Sequence, residues 1–235
     1  MKFFKKMGKY TGTSTLESMS QAEFYNKWTL SKFRKYLKGE ILEIGCGIGN
    51  FTSTLSKFGK VTSIDIDKHL IDISRKNNSY NIQVGFGNIE KGQYFFKEKL
   101  FDTVVCINVL EHINNDTEAL KNMFKLLKKG GNLILLVPIY DFLFGEIDKA
   151  VLHFRRYNPD NLVKEMQEIG YTVISHRKLN FIGAIGWFIS GRILKNKQIT
   201  EGKIKLFNLF SPLLYLENII EPPIGTSILV IVEKE

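Results

Sequence analysis

Only two cysteines, Cys46 and Cys106, occur in the chain, and both fall in apolar segments. Two are too few for a disulfide framework, so free thiols and a reducing, cytoplasmic compartment are expected. Long hydrophobic runs are missing as well. The longest uncharged apolar stretch goes from Leu179 to Gly191 and is broken by glycines, short of the ~20 residues that cross a bilayer. The start, MKFFKKMGKY, lacks the apolar region of a secretory signal. Internal repeats, low-complexity tracts, an RNA-binding module and a basic stripe with interleaved aromatics are all absent, which argues against nucleic acid as a partner. Histidine is scarce: His69, His112, His153 and His176 are the four in the chain, so an imidazole base has few candidates.

What is present fits one α/β domain. The 235 residues are 44% apolar, enough for a full core. The net charge is +9, and Lys2, Lys5, Lys6 and Lys9 concentrate part of it in residues 1–19, which read as a flexible basic tail. Such a tail solubilises the chain or draws it to an anionic membrane surface or nucleic acid. Residues 20–235 read as a single domain. Ser20-Gln-Ala-Glu23 has capping-box spacing, and Phe24, Trp28, Leu30, Phe33 and Leu37 continue it as a helix over 20–38.

Strand-like and helix-like segments then alternate. Strands are expected at Ile41–Ile44, Val61–Ile66, Ile82–Gly85, Phe101–Ile107, Leu133–Val137, Tyr171–Ser175 and Ser227–Val232. Helices are expected at Asn50–Phe58, Lys68–Lys76, Thr117–Lys128 and from Asn158-Pro159 to Gln167. Seven strands with helices between most of them argue a Rossmann-like, doubly wound, mainly parallel sheet. Residues 139–157 and 180–224 interrupt this alternation as insertions above the carboxyl edge.

The segment ILEIGCGIGN places Gly45, Gly47 and Gly49 directly after the first strand. In an open parallel sheet that loop lies where ligands bind. Glycines let a ligand touch backbone, and the following helix offers free N–H groups. Asp65, at the end of the second strand, is placed to bind ribose hydroxyls. The spacing is G-x-G-x-G rather than the G-x-G-x-x-G of dinucleotide sites, and Glu43 precedes it. A carboxylate there repels pyrophosphate and suits an ammonium group. S-adenosylmethionine carries an ammonium and no phosphate.

Five stretches in order, ILEIGCGIGNFT, VTSIDID, FGNIEK, FDTVVCINVLEHI and LKKGGNLILLVP, resemble the class I S-adenosylmethionine-dependent methyltransferases. The resemblance covers residues 41–138 and implies an antiparallel last strand. It implies that Glu43, Gly45, Cys46 and Gly47 line the methionine end, that Asp65 holds the ribose and that Ile66 flanks the adenine. Asn88 and Ile89 match the positions that read the adenine edge, and Asn108 lies beside the sulfonium. EFYNKW, LHFRRYNPDNL and LLYLENIIEPPIGTSILVIVEK resemble one bacterial subset, of the type 11/12 kind.

Methyl transfer needs alignment and exclusion of water, and a hydroxyl or ammonium acceptor must also lose a proton. His112 and Glu111 stand at the carboxyl end of the fourth strand, and His153 follows the fifth. These three are the candidate catalytic residues, the alternative being that they fix loop geometry and packing. Some related O-methyltransferases bind a divalent metal through E-x-x-E-H plus a later His. Here Asn108 stands at the first position of that pattern, an amide that weakens binding of a hard cation, so no metal is expected. Arg155 and Arg156 meet a substrate phosphate or carboxylate, or else the nearby Asp141, Glu146 and Asp148. Tyr25 and Trp28 cap the cofactor or face the core.

In this family the sixth strand runs parallel to its neighbours, which starts the apolar insert Phe181–Pro223 above the acceptor pocket. The insert is a lid packed as core, a hydrophobic acceptor site, or a peripheral membrane contact at the inner face of the membrane. The reading is a methyltransferase acting at oxygen or nitrogen of a small-molecule or lipid-linked acceptor. An RNA 2′-O-type methyltransferase and a cofactor-binding protein without turnover are the alternatives.

Overall fold

The computed structural model describes residues 23–78, 82–196 and 201–235. The expected basic tail and the start of the Ser20–Glu23 capping box lie outside the described residues.

Helix α1 (Glu23–Phe33) leads into β1 (Glu40–Ile44), α2 (Thr52–Leu55), β2 (Lys60–Asp65), α3 (Lys68–Asn77), β3 (Gln83–Asn88), β4 (Gln93–Tyr94) and β5 (Phe101–Ile107). After β5 come α4 (Asp116–Leu126), β6 (Leu127–Pro138), α5 (Glu146–Ala150), α6 (Pro159–Ile169) and β7 (Tyr171–Leu179). Then follow α7 (Phe181–Trp187), α8 (Glu201–Phe210) and β8 (Ser227–Lys234). The sheet order is β4-β3-β2-β1-β5-β6-β8-β7. β1 pairs in parallel with both β2 and β5, so chain order reverses at β1 and a crevice opens past its carboxyl end.

The expected Rossmann-like sheet is therefore present, with an antiparallel final strand. Eight strands form it among the described residues rather than seven, because the two-residue β4 adds an antiparallel edge to β3. β7 keeps the direction of β6, but its hydrogen-bonded neighbour is the antiparallel β8, not a parallel strand. Residues Asn50–Phe58 give a helix only over Thr52–Leu55. Its hydroxyl residues bind elsewhere instead: Thr52 Oγ1 goes to Glu43 and Ser56 Oγ to the Ser53 carbonyl.

Period-two alternation divides the core. Leu133, Leu135 and Val137 of β6 face one layer with Leu120 and Met123 of α4 and Met166 of α6. Ile134 and Leu136 face the other, with Trp28 and Phe33 of α1 and with Leu214. Both faces are covered, which explains the near-continuous apolar strands. Side-chain caps begin the layer helices: Asn115 accepts from Glu118 N at 3.1 Å, and Asn158 from Asp160 N at 3.0 Å. Gly170 ends α6 at φ 112, a left-handed conformation that suits glycine.

Candidate functional site

The glycine loop is shaped by close approach. Gly45, Gly47 and Gly49 have φ of 69, 54 and 93. A Cβ on Gly45 would lie 2.3 Å from Val109 Cγ2, so the loop after β1 presses against the turn after β5. Gly45 and Cys46 donate their N–H groups to the Ile64 carbonyl. Gly47 N donates to Asp65 Oδ2 and Asp67 N to Asp65 Oδ1, both at 2.9 Å. Asp65 thus holds the loop and keeps lone pairs for further donors. Glu43 Oε2 accepts from Thr52 Oγ1 and Ser63 Oγ at 2.6 Å each.

Burial raises both carboxyls above their ordinary range. For Glu43 the Ser63 and Thr52 hydroxyls offset part of this, and for Asp65 the backbone N–H groups of Asp67 and Gly47 do. Asp65 lies near Glu43 and Asp67 near Asp65, so acidic side chains line the loop. Such a pocket rejects phosphate and stabilises a cation. Its glycine cradle and acidic walls therefore fit S-adenosylmethionine.

The other positions at which the resemblance implies cofactor contact follow the ends of β2, β3 and β5. Ile66 is 59% exposed just past β2, free to lie against a flat ring. Asn88 ends β3 and its Oδ1 accepts from Lys91 N. Ile89 is buried, and its carbonyl takes the Asn122 amide. Asn108 is exposed at φ 53 where β5 ends. Cys46 sends its side chain into a small cluster with Ile71 and Val84, so only its backbone remains for the cofactor.

The three candidate catalytic residues come together. Glu111 and His112 sit on a single turn, Leu110–His112, after β5. The backbone N–H of Phe154 donates to the Glu111 carbonyl at 2.9 Å, drawing the later loop alongside. The rings of His112 and His153 meet edge to face at 4.7 Å between centroids. His153 Nε2 lies 3.9 Å from Glu111 Oε1, and His153 Nδ1 lies 2.9 Å from Asp148 Oδ1.

Asp148, fully buried, is the hub of this cluster. Its Oδ1 also accepts from Arg156 Nε at 2.9 Å, and its Oδ2 from Gly145 N at 2.9 Å and Trp187 Nε1 at 3.0 Å. Burial opposes its charge, but these donors together hold its carboxyl below the usual range. An ionised Asp148 only accepts, so the proton is assigned to His153 Nδ1 and Nε2 becomes the acceptor. Burial pushes Glu111 up to about 7, with His153 and Arg156 partly offsetting it. Burial, and then the charge of His153, pushes His112 down to about 4. Glu111 Oε2 is buried without a hydrogen-bond partner.

No metal was expected from the sequence. One ligand atom each from Glu111, His112 and His153 lie within 4.8 Å of one another, and one carboxylate with two imidazoles is also a donor set that can hold a divalent ion.

Two readings were open for each of Arg156, Arg155, Trp28 and Tyr25, and each side chain makes internal contacts. Arg156 is buried and spent on Asp148 and the Ile139 carbonyl. Arg155 pairs with Asp116 at 2.6 Å and with the Asn114 carbonyl, neither of which is among the acids named from the sequence. Trp28 is 1% exposed and donates Nε1 to the Leu214 carbonyl at 3.0 Å. Tyr25 is buried between Trp28 and Phe207. The aromatics of α1 hold the insert down on the sheet and do not reach toward a substrate. His69 and His176 are exposed.

Sequence reasoning missed the central role of Asp148, and Trp187, Thr52 and Ser63 altogether. Asp148 had one signal: it stands three residues after Gly145, where a capping-box acid belongs. The other three act through contacts distant along the chain and left none.

Comparison with known proteins agrees with this geometry. A family profile described as a methyltransferase domain matches residues 22–176. An uncharacterized protein of Methanocaldococcus jannaschii is 29% identical over 174 residues, 74% of this chain and 72% of that one. A ubiquinone biosynthesis O-methyltransferase of Coxiella burnetii is 34% identical over 101 residues. That match covers 41% of this chain and 43% of that enzyme, so the chain spans less than half of this relative. The crystal structure of an N-methyltransferase of Bradyrhizobium japonicum with S-adenosyl-L-homocysteine superposes at a TM-score of 0.58 and 15% identity, over 92% of this chain and 87% of that one. With the profile covering more than half of the sequence and the glycine cradle, Asp65 and the reversed sheet order in place, the chain belongs to the class I S-adenosylmethionine-dependent methyltransferases.

Proposed function

We propose that this methyltransferase acts on a hydroxyl or amine of a small-molecule or lipid-linked acceptor, with His153 as the base. The observation that carries the reading is the Asp148–His153 hydrogen bond of 2.9 Å, which leaves Nε2 free to take a proton. S-adenosylmethionine supplies a methyl group already activated on sulfur. Glu43, Asp65 and the glycine cradle bind and orient it. The acceptor's O–H or N–H proton passes to His153 Nε2 as its oxygen or nitrogen takes the methyl group. Glu111, 3.9 Å away, stabilises the resulting imidazolium when ionised. The ubiquinone relative is named as an O-methyltransferase, which supports oxygen as one acceptor.

The test is transfer of labelled methyl groups into a cell lysate separated into lipid, small-molecule and RNA fractions. Label in the lipid or small-molecule fraction, lost in His153→Asn at unchanged S-adenosylhomocysteine affinity, is the expected result. Label confined to RNA, or full turnover by the variant, overturns the reading.

A further inference from the structure

We propose that the outer faces of residues 185–196 and 206–220 dock on an anionic lipid surface and so bring a membrane-borne acceptor to the site; this rests on the lipid-linked reading of the acceptor given above. The face is apolar where a water-exposed surface is usually polar. Leu209, Leu216, Ile219 and Ile220 are 71%, 63%, 83% and 72% exposed. Scattered apolar residues are ordinary on a surface, but a contiguous apolar face marks an interaction site.

The partition along this segment is inverted. Ser211–Asn218 is a 3-10 run, with three residues per turn, so positions three apart share a ridge. The ridge of Ser211, Leu214 and Glu217 is buried, whereas Leu213 and Leu216 lie on an exposed one. Glu217 accepts the backbone N–H groups of Asn180 and Phe181 at 2.9 Å. Ser211 and Glu217 therefore anchor the segment inward beside Leu214, while Leu213 and Leu216 point outward.

Charge selects the occupant. Among the described side chains from 181 to 221 the carboxylates are the buried Glu217 and the exposed Glu221, which accepts the Lys178 N–H, while Arg192 and Lys195 are exposed. The whole chain carries +9. Apolar side chains with flanking cations match an anionic headgroup layer. No described helix is long and apolar enough to cross a membrane, so the contact is peripheral. The position is also suited to delivery. α7 exposes Ile185 on one side and sends Trp187 Nε1 3.0 Å from Asp148 Oδ2 on the other, so the lipid face adjoins the carboxylate that orients His153.

The full chain is sedimented with phosphatidylcholine vesicles and with mixed phosphatidylcholine–phosphatidylglycerol vesicles, at low and high salt. Binding to the mixed vesicles that weakens with salt is expected. The triple variant Leu213→Ser, Leu216→Ser, Ile219→Ser is expected to lose at least about tenfold in bound fraction with unchanged melting temperature and S-adenosylhomocysteine affinity. A chain that stays in solution with both vesicles overturns the proposal, as does a triple variant that binds like the parent. Lipid-free self-association that the triple variant abolishes also overturns it, because a second copy then covers the face. Failure here with label still entering the lipid fraction overturns only the docking. Vesicle binding with label confined to water-soluble products overturns only the lipid-linked half of the acceptor reading.

Discussion

Asp148 Oδ1 lies 2.9 Å from His153 Nδ1, and the same carboxylate neutralises the buried Arg156. With His153 as the proposed base, the pair would couple turnover to stability. Asp148→Asn removes the charge that fixes the imidazole tautomer and leaves Arg156 buried without a counter-ion. Breaking such a pair is expected to destabilise the fold by about 3 kcal/mol. Turnover is expected to fall at least tenfold while S-adenosylhomocysteine affinity stays within about twofold, because the glycine loop is separate. Chemical denaturation and calorimetry check both parts. Wild-type turnover in the variant would remove Asp148 from the mechanism.

Glu111 and His112 make stability depend on pH in opposite directions. The folded carboxyl of Glu111 titrates at about 7 against an ordinary 4.5. Its contribution is full below 4.5 and is lost as pH rises through 7. His112 titrates at about 4 against an ordinary 6.5. Its contribution is full above 6.5 and is lost as pH falls through 4. The two slopes oppose each other in the parent protein. In Glu111→Gln only the histidine slope remains of this pair. The variant should gain on the parent between pH 4.5 and 7, by up to about 3 kcal/mol at the plateau. Denaturation series across that range test this, and parallel curves for the two proteins would refute it.

Asp65 is expected to carry much of the cofactor affinity. In Asp65→Ala the ribose hydroxyls lose a charged acceptor, each bond worth roughly 1.5–3 kcal/mol. The loop also loses its link from Gly47 N. Calorimetry should show S-adenosylhomocysteine binding weakened at least about tenfold. Unchanged affinity would mean that another group holds the ribose.

Chelation tests the metal question directly. Turnover is expected to stay within about twofold in EDTA, because Glu111 is the one carboxylate beside His112 and His153 in the possible ligand set and burial raises its carboxyl. Loss of turnover that a divalent ion restores would assign Glu111, His112 and His153 as its ligands.

The sheet was legible in the sequence because burial on both faces demands apolar strands, whereas the helix expected over 20–38 ends at Phe33 and continues only as a 3-10 turn, Arg34–Tyr36. The glycine loop, Glu43 and Asp65 were legible because ligand chemistry imposes spacing there. Helix Asn50–Phe58 was overcalled because Thr52 binds Glu43, a contact that period alone cannot foresee. The Asp148 hub gathers Gly145, His153, Arg156 and Trp187, and Trp187 stands far along the chain. The outward leucines of the insert looked like core because composition reports that a residue is apolar and not which way it faces.

Gly45 sets the distance between the loop that binds the cofactor and the turn that carries Asn108 and Glu111. Ala at this position has two separate faults. Its Cβ meets Val109 Cγ2 at 2.3 Å and Cγ1 at 3.0 Å, and its φ of 69 is left-handed, which costs an L-residue roughly 1–2 kcal/mol. Gly45→Ala is therefore expected to lower the melting temperature and weaken S-adenosylhomocysteine binding more than about tenfold. Val109→Ala deletes both clashing methyl groups. The double variant should recover the steric part and keep the backbone part, ending between Gly45→Ala and the parent in both measurements. A double variant no better than Gly45→Ala would show that backbone conformation, not contact with Val109, requires glycine here.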